Sequence, residues 1–169
     1  MARVPFHYVD LRTFSYETED EKRVEAALRT FLPEEFEVER SESTGHHGDR
    51  IVVLSARVER ADDVRHVLAQ VAAAPAYDRV FDELDDRITD NCELFLRFDK
   101  QAAFREEIRL GEGITFRAKV EAYPAKREAA VENAREALEN VRDSPDEETD
   151  GDGSASDDET GDNATDTDE

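Results

Sequence analysis

Between Phe6 and Val141 the apolar side chains switch repeatedly between two spacings, every second residue and every third or fourth. A period of two alternates across the faces of a strand, whereas a period near 3.6 gathers on one stripe of a helix. The order of the switches is therefore the order of the elements. Residues 6–16 alternate, with Val9, Leu11 and Thr13 on one face and Tyr8, Asp10, Arg12 and Phe14 on the other. Thr18-Glu19-Asp20-Glu21 has the form of a capping box, and Val24, Ala27, Leu28 and Phe31 make one helical stripe that stops before Pro33. Phe36 and Val38 predict a second strand over 35–41. Ile51–Val58, almost wholly apolar, predicts a third and central strand covered on both faces or largely buried. A hairpin is expected between them, around the polar loop 43–50. Val64, Val67, Leu68 and Val71 mark a second helix. Tyr77, Val80, Phe81 and Leu84 mark a third, opened by Pro75. Residues 93–99 point Leu94, Leu96 and Phe98 inward and Glu93, Phe95 and Arg97 outward. Residues 114–123 repeat the alternation, with Ile114, Phe116, Ala118 and Val120 against Arg117 and Lys119. A last helix from Pro124 carries Val131, Ala134, Leu138 and Val141. The order β-α-β-β-α-α-β-β-α predicts one α+β domain over residues 1–142, a mainly antiparallel five-stranded sheet with helices on one face.

Charge sets the rest of the organisation. The chain has 44 Asp and Glu against 22 Lys and Arg, a net charge of −22. Residues 143–169 hold 13 of the acids and no base, with hardly any apolar residue, so they are expected to form a disordered acidic tail. Such a tail serves as a solvating extension, an interaction arm or a mimic of nucleic acid. The bases are 18 Arg to 4 Lys. Dense carboxylates, few lysines and small apolar residues suit a halophilic protein, because salt shortens the Debye length to about 3 Å at 1 M and mutes their repulsion. Acidity then describes the solvent and leaves an anionic partner open. No run of about eighteen apolar residues is present, so no membrane partner is expected. No apolar leader follows Met1–Pro5, and a cytoplasmic location is expected.

Catalytic signatures are missing from the sequence. The single cysteine, Cys92, excludes an internal disulfide framework, and no Gly-x-Ser-x-Gly elbow occurs. Gly111-Glu112-Gly113 lacks the third glycine and the Lys-Ser/Thr of a phosphate loop. Among so many acids, carboxylate pairs arise by chance. His46 and His47 are adjacent and diverge in an extended loop. With Asp49 they make a weak metal site, a turn presenting imidazoles, or simply a hairpin turn. No enzyme, metal or cofactor is expected. The outward sheet face is more informative. It projects Arg12 with Tyr8 or Phe14, Phe95 with Arg97, and Arg117 with Lys119, rings and cations suited to stacking bases and pairing phosphates. The alternative is an ordinary solvent face whose cations pair with Asp10, Glu93 and Glu121.

Three segments in this order, Thr18-Glu19-Asp20-Glu21-Lys22-Arg23-Val24, Gly45-His46-His47-Gly48-Asp49-Arg50-Ile51 and Leu96-Arg97-Phe98-Asp99-Lys100-Gln101-Ala102, resemble the archaeal RNA-binding family described as a predicted exosome subunit. The resemblance covers roughly residues 6–122. That family is similar in fold to the large-subunit ribosomal protein that binds the small ribosomal RNA. The resemblance implies RNA binding without catalysis and a partnership with subunits of the RNA-degrading exosome. It carries over to Arg50, Lys100 and Gln101, while Asp49 stands where the family often has an amide. The expected site then has Arg12, Arg97, Lys100 and Arg117 on phosphates and Tyr8 and Phe95 on bases. His46 and Gln101 would bond base edges or 2′-hydroxyls, and Arg50 and Lys119 complete the cationic set. A protein-interaction adaptor, docking through the sheet face or the acidic tail without touching RNA, is the alternative.

Overall fold

The structure, a computed structural model, describes residues 4–143; apart from Asp143, the acidic tail expected over 143–169 lies outside the described residues. The elements run β1 (Phe6–Tyr16), α1 (Glu21–Arg29), β2 (Glu39–Thr44), β3 (Arg50–Val58), α2 (Ala61–Ala72), α3 (Tyr77–Asp82), α4 (Leu84–Arg87), β4 (Glu93–Asp99), α5 (Lys100–Ala103), β5 (Gly113–Val120) and α6 (Arg127–Asp143). The sheet has five antiparallel strands in the order β2-β3-β1-β5-β4, so β1 is the central strand. Alternate residues of four strands are buried on the helical side: Val9, Leu11 and Thr13; Val52, Leu54 and Ala56; Leu94, Leu96 and Phe98; Ile114, Phe116 and Ala118. Against them pack Val24 and Leu28 of α1, Val64, Val67, Leu68 and Val71 of α2, and Ala134 and Leu138 of α6. Phe31, Phe98 and Phe116 form the aromatic centre, with ring centroids 5.0 and 5.9 Å apart. The α+β arrangement with helices on one face agrees with the expectation from periodicity.

Local differences have physical causes. The cap of α1 is Asp20, whose carboxylate accepts the Lys22 N–H at 3.0 Å; the expected Thr18/Glu21 box does not form. Glu19 is drawn away to Tyr16 and Lys100, which turns the chain over 17–19. Asp20→Ala is expected to cost about 1 kcal/mol, read as a lower denaturant midpoint, whereas Thr18→Ala leaves the midpoint in place. The second strand begins at Glu39 instead of 35, because Pro33 and Glu35, at φ 61°, bend the backbone first. In β3 only one face is covered: Ile51, Val53 and Ser55 are half-buried and Arg57 is exposed, so the double-sided cover expected there is corrected. The third helix is broken at Glu83 into α3 and α4. The fifth strand stops at Val120 and the last helix begins at Arg127, past Pro124.

Candidate nucleic-acid interface

Residues opposite one another in an antiparallel pair lie on the same face, so the registers lay out the helix-free side as cross-strand rows. From one end they read Ser43, Ile51 and Tyr16; then Ser41, Val53 and Phe14; then Glu39, Ser55, Arg12, Thr115 and Arg97. Next come Arg57, Asp10, Arg117 and Phe95, and finally Tyr8, Lys119 and Glu93. Among the described residues no helix covers these rows, and three rings stand open: Phe14 at 38%, Phe95 at 40% and Tyr16 at 51% exposure. A concavity of about 540 Å³ lies between Phe14 and Phe95, with Arg12, Ser55 and Thr115 in its wall.

The two ends differ electrostatically. Toward Tyr8 the cations are committed. Arg117 pairs with Asp10 at 2.9 Å, and this hydrogen bond holds its guanidinium above the ordinary value. Arg57 lies 3.7 Å from Asp10 and covers the Tyr8 ring at 3.9 Å, with Arg117 at 5.8 Å from the same ring. Lys119 donates to the Asn91 carbonyl. Tyr8 and Arg117 thus belong to an internal net with Asp10 and Arg57, Lys119 is engaged separately, and the ring expected to stack a base stacks a guanidinium instead. Arg12 and Arg97, in the row beyond, are exposed and take no ion pair or side-chain hydrogen bond among the described residues.

Lys100 departs furthest from expectation. It is 7% exposed, and its Nζ donates to the Phe14 carbonyl at 2.5 Å and to Glu19 Oε1 at 2.7 Å. The same Glu19 oxygen accepts the Tyr16 N–H at 3.0 Å. The β1–β5 ladder ends at Thr13 opposite Ile114, so the far end of β1 has no strand on that side. The Lys100–Glu19 pair substitutes for one, satisfying the Phe14 C=O and the Tyr16 N–H that a longer β5 would have paired. Burial pushes the Glu19 carboxyl up, but the hydrogen bonds from Lys100 and from the Tyr16 N–H outweigh it and hold the group below its ordinary value. Lys100 therefore supports the platform of Phe14 and Tyr16 and does not reach a phosphate. Gly113, at φ +118°, admits it closely: a Cβ there would overlap the Lys100 Cβ. The motif around Lys100 is mainly architectural, since Phe98 is core and Asp99 caps α5 by accepting from the Gln101 and Ala102 N–H groups.

The other carried-over positions are dispersed. Arg50 projects to the helical side, 3.5 Å from Glu21 and 3.4 Å from Glu42. Arg40 binds the same two acids, and its hydrogen bond holds Glu21 below the ordinary carboxylate range. His46 sits in the hairpin turn closed by Gly45 N–H to the Asp49 carbonyl at 2.7 Å, beyond the Tyr16 end of the face. Its ring meets His47 edge-on at 5.2 Å, so the two histidines do not diverge. Gln101 is exposed on α5, off the sheet. Among the expected residues, Tyr8, Arg12, Phe95, Arg97, Arg117 and Lys119 lie on the open face, and of these Arg12, Phe95 and Arg97 stand with Phe14 apart from the Asp10 ion pairs. Tyr16, Ser55 and Thr115 were not singled out in the sequence; continuing the alternation of the first strand by one step adds Tyr16. Among the described residues no helix is long and apolar enough to cross a membrane, and no three His, Cys, Asp or Glu side chains are placed to hold a metal ion.

A family model described as RNA binding matches residues 8–120. An RNA-binding protein of Pyrococcus abyssi is 34% identical over 141 residues, covering 77% of this chain and 92% of its own length. A solved DUF54 protein from Methanothermobacter thermautotrophicus is 42% identical with a TM-score of 0.67, covering 79% of this chain and 98% of its own. A DUF54 structure from Archaeoglobus fulgidus is 28% identical with a TM-score of 0.69, over 78% of this chain and 99% of its own.

Proposed function

Because the chain belongs to the RNA-binding family matched over residues 8–120, we propose that it is a non-catalytic, cytoplasmic protein that binds unpaired RNA on the open face of its sheet. One observation carries the reading: a helix-free face on which exposed Phe14 and Phe95 flank the unpaired guanidiniums of Arg12 and Arg97. A duplex hides the faces of its bases, while splayed single-stranded bases offer them to aromatic rings. Asp10, Glu39 and Glu93 lie on the same side. They disfavour the close phosphate rails of a duplex and leave room for a strand whose bases point inward. Stacking is insensitive to salt, so affinity persists where counterion release has little left to give. The reading extends to an accessory role beside the RNA-degrading exosome, supported by the likeness of the three motif segments; co-purification of exosome subunits with the full chain tests that part.

The central test is fluorescence anisotropy with single-stranded and duplex RNA. Wild type is expected to prefer the single strand. Arg12→Gln plus Arg97→Gln should weaken binding about tenfold, at ~0.7 kcal/mol for each exposed guanidinium–phosphate pair, and reduce the salt slope by about 1.4. A wild-type preference for duplex, or an unaltered slope in the double variant, would remove this reading.

A further inference from the structure

At the β4 edge the open face runs into a separate hollow of about 350 Å³, lined by Arg79, Arg87, Phe95, Arg97, Leu110 and Gly111. Its wall holds three guanidiniums and no carboxylate. Behind it Glu83 accepts from Arg79 Nε at 3.1 Å and from Arg87 Nη2 at 2.6 Å, which orients both side chains while neutralising one charge. Arg97 has no such partner. Phe95 lines both this hollow and the concavity on the sheet face, so its ring is a wall common to the two. The opposite edge offers no such cluster. β2 is exposed along its whole length and turns Glu39 to the open face, while Arg40 and Arg50 are already held by Glu21 and Glu42. A polyanion leaving the face across β2 meets Glu39 and cations already paired, and one leaving across β4 meets arginines.

We propose that this hollow is a phosphate subsite, so that an RNA strand on the open face leaves across β4 and seats a phosphate among Arg79, Arg87 and Arg97, its base against Phe95. The proposal rests on the RNA-binding reading above and gives the bound strand an exit. Planar guanidiniums bind phosphate oxygens bidentately, and three approaching from α3, α4 and β4 surround one group from different sides.

The test is anisotropy with a single-stranded RNA of about ten nucleotides, long enough to cross the face and reach the edge. Arg79→Gln plus Arg87→Gln should weaken binding about fivefold and reduce the salt slope by about 0.7, the loss of one phosphate contact. Glu83→Gln should act oppositely: the amide oxygen can still accept from an arginine, but the negative charge beside Arg79 and Arg87 is gone, so binding should tighten severalfold. This second variant keeps the test decisive should the first be poorly folded. Running the RNA with a 5′-phosphate and with a 5′-hydroxyl assigns the group: an equal loss with both is a backbone phosphate, and a loss confined to the first is a terminal one. Wild-type binding together with unchanged affinity and slope in the arginine variant, or no gain from Glu83→Gln, overturns the subsite alone. Failure of wild type to bind single-stranded RNA removes the RNA reading and the subsite with it.

Discussion

Phe14→Ala combined with Phe95→Ala is expected to weaken single-stranded RNA binding by about a thousandfold, since each stacked base contributes about 1–3 kcal/mol and two platforms are lost. Both rings lie on the helix-free side and neither belongs to the buried core, so the melting temperature should hardly move. The salt slope should not move either, because no cation is removed. That pattern separates stacking from charge: the arginine pair on the same face predicts a smaller loss with a changed slope. Titrations at low and high salt check it. If the aromatic variant loses no more than the arginine variant, binding is carried by phosphates and the rings are bystanders. Each single variant should lose roughly the square root of the double effect, because the rings stand on β1 and β4 with β5 between them and share no partner.

The open face was legible in the sequence because period-two patterning needs only local information. Arg12 and Phe14 alternate with Leu11 and Thr13, and Phe95 and Arg97 with Leu94 and Leu96, so the side on which they emerge follows from which side is apolar. The availability of each cation was not legible. Arg117 and Asp10 are 107 positions apart in sequence and meet only because β5 pairs with β1. Tyr8 is covered by Arg57, which lies in a strand whose apolar run concealed its own alternation. Nothing in the local sequence singles out Arg79 and Arg87, which line one hollow with Phe95 and Arg97 of β4 only in the fold. Lys100 shows the same limit most sharply. Its motif drew attention to the right lysine, but its burial depends on where β5 begins and on a turn 81 residues upstream.

Lys100→Met is expected to lower stability by about 3 kcal/mol, or roughly 6–12 °C in melting temperature. It leaves the Glu19 carboxylate without its cation and the Phe14 carbonyl without its donor. The loss has a pH signature whose sign follows from Glu19. The folded-state pKa of that group lies below its ordinary, unfolded value, so its contribution is fully present above the ordinary value and fades as pH falls through the folded one. The gap between wild type and Lys100→Met should therefore be widest near neutrality and narrow under acid, where a protonated Glu19 no longer needs a cation. Glu19→Gln should cost less, because the amide oxygen can still accept from Lys100 and Tyr16, and its own stability should be flatter across the same acid range. Chemical denaturation from about pH 3 to pH 7 measures all three curves. RNA binding adds a readout that a purely global effect would not produce. At a temperature where Lys100→Met is fully folded, it should still bind single-stranded RNA more weakly than wild type, with the salt slope unchanged. The ammonium never reaches the RNA; it holds straight the end of β1 from which Phe14 and Tyr16 project.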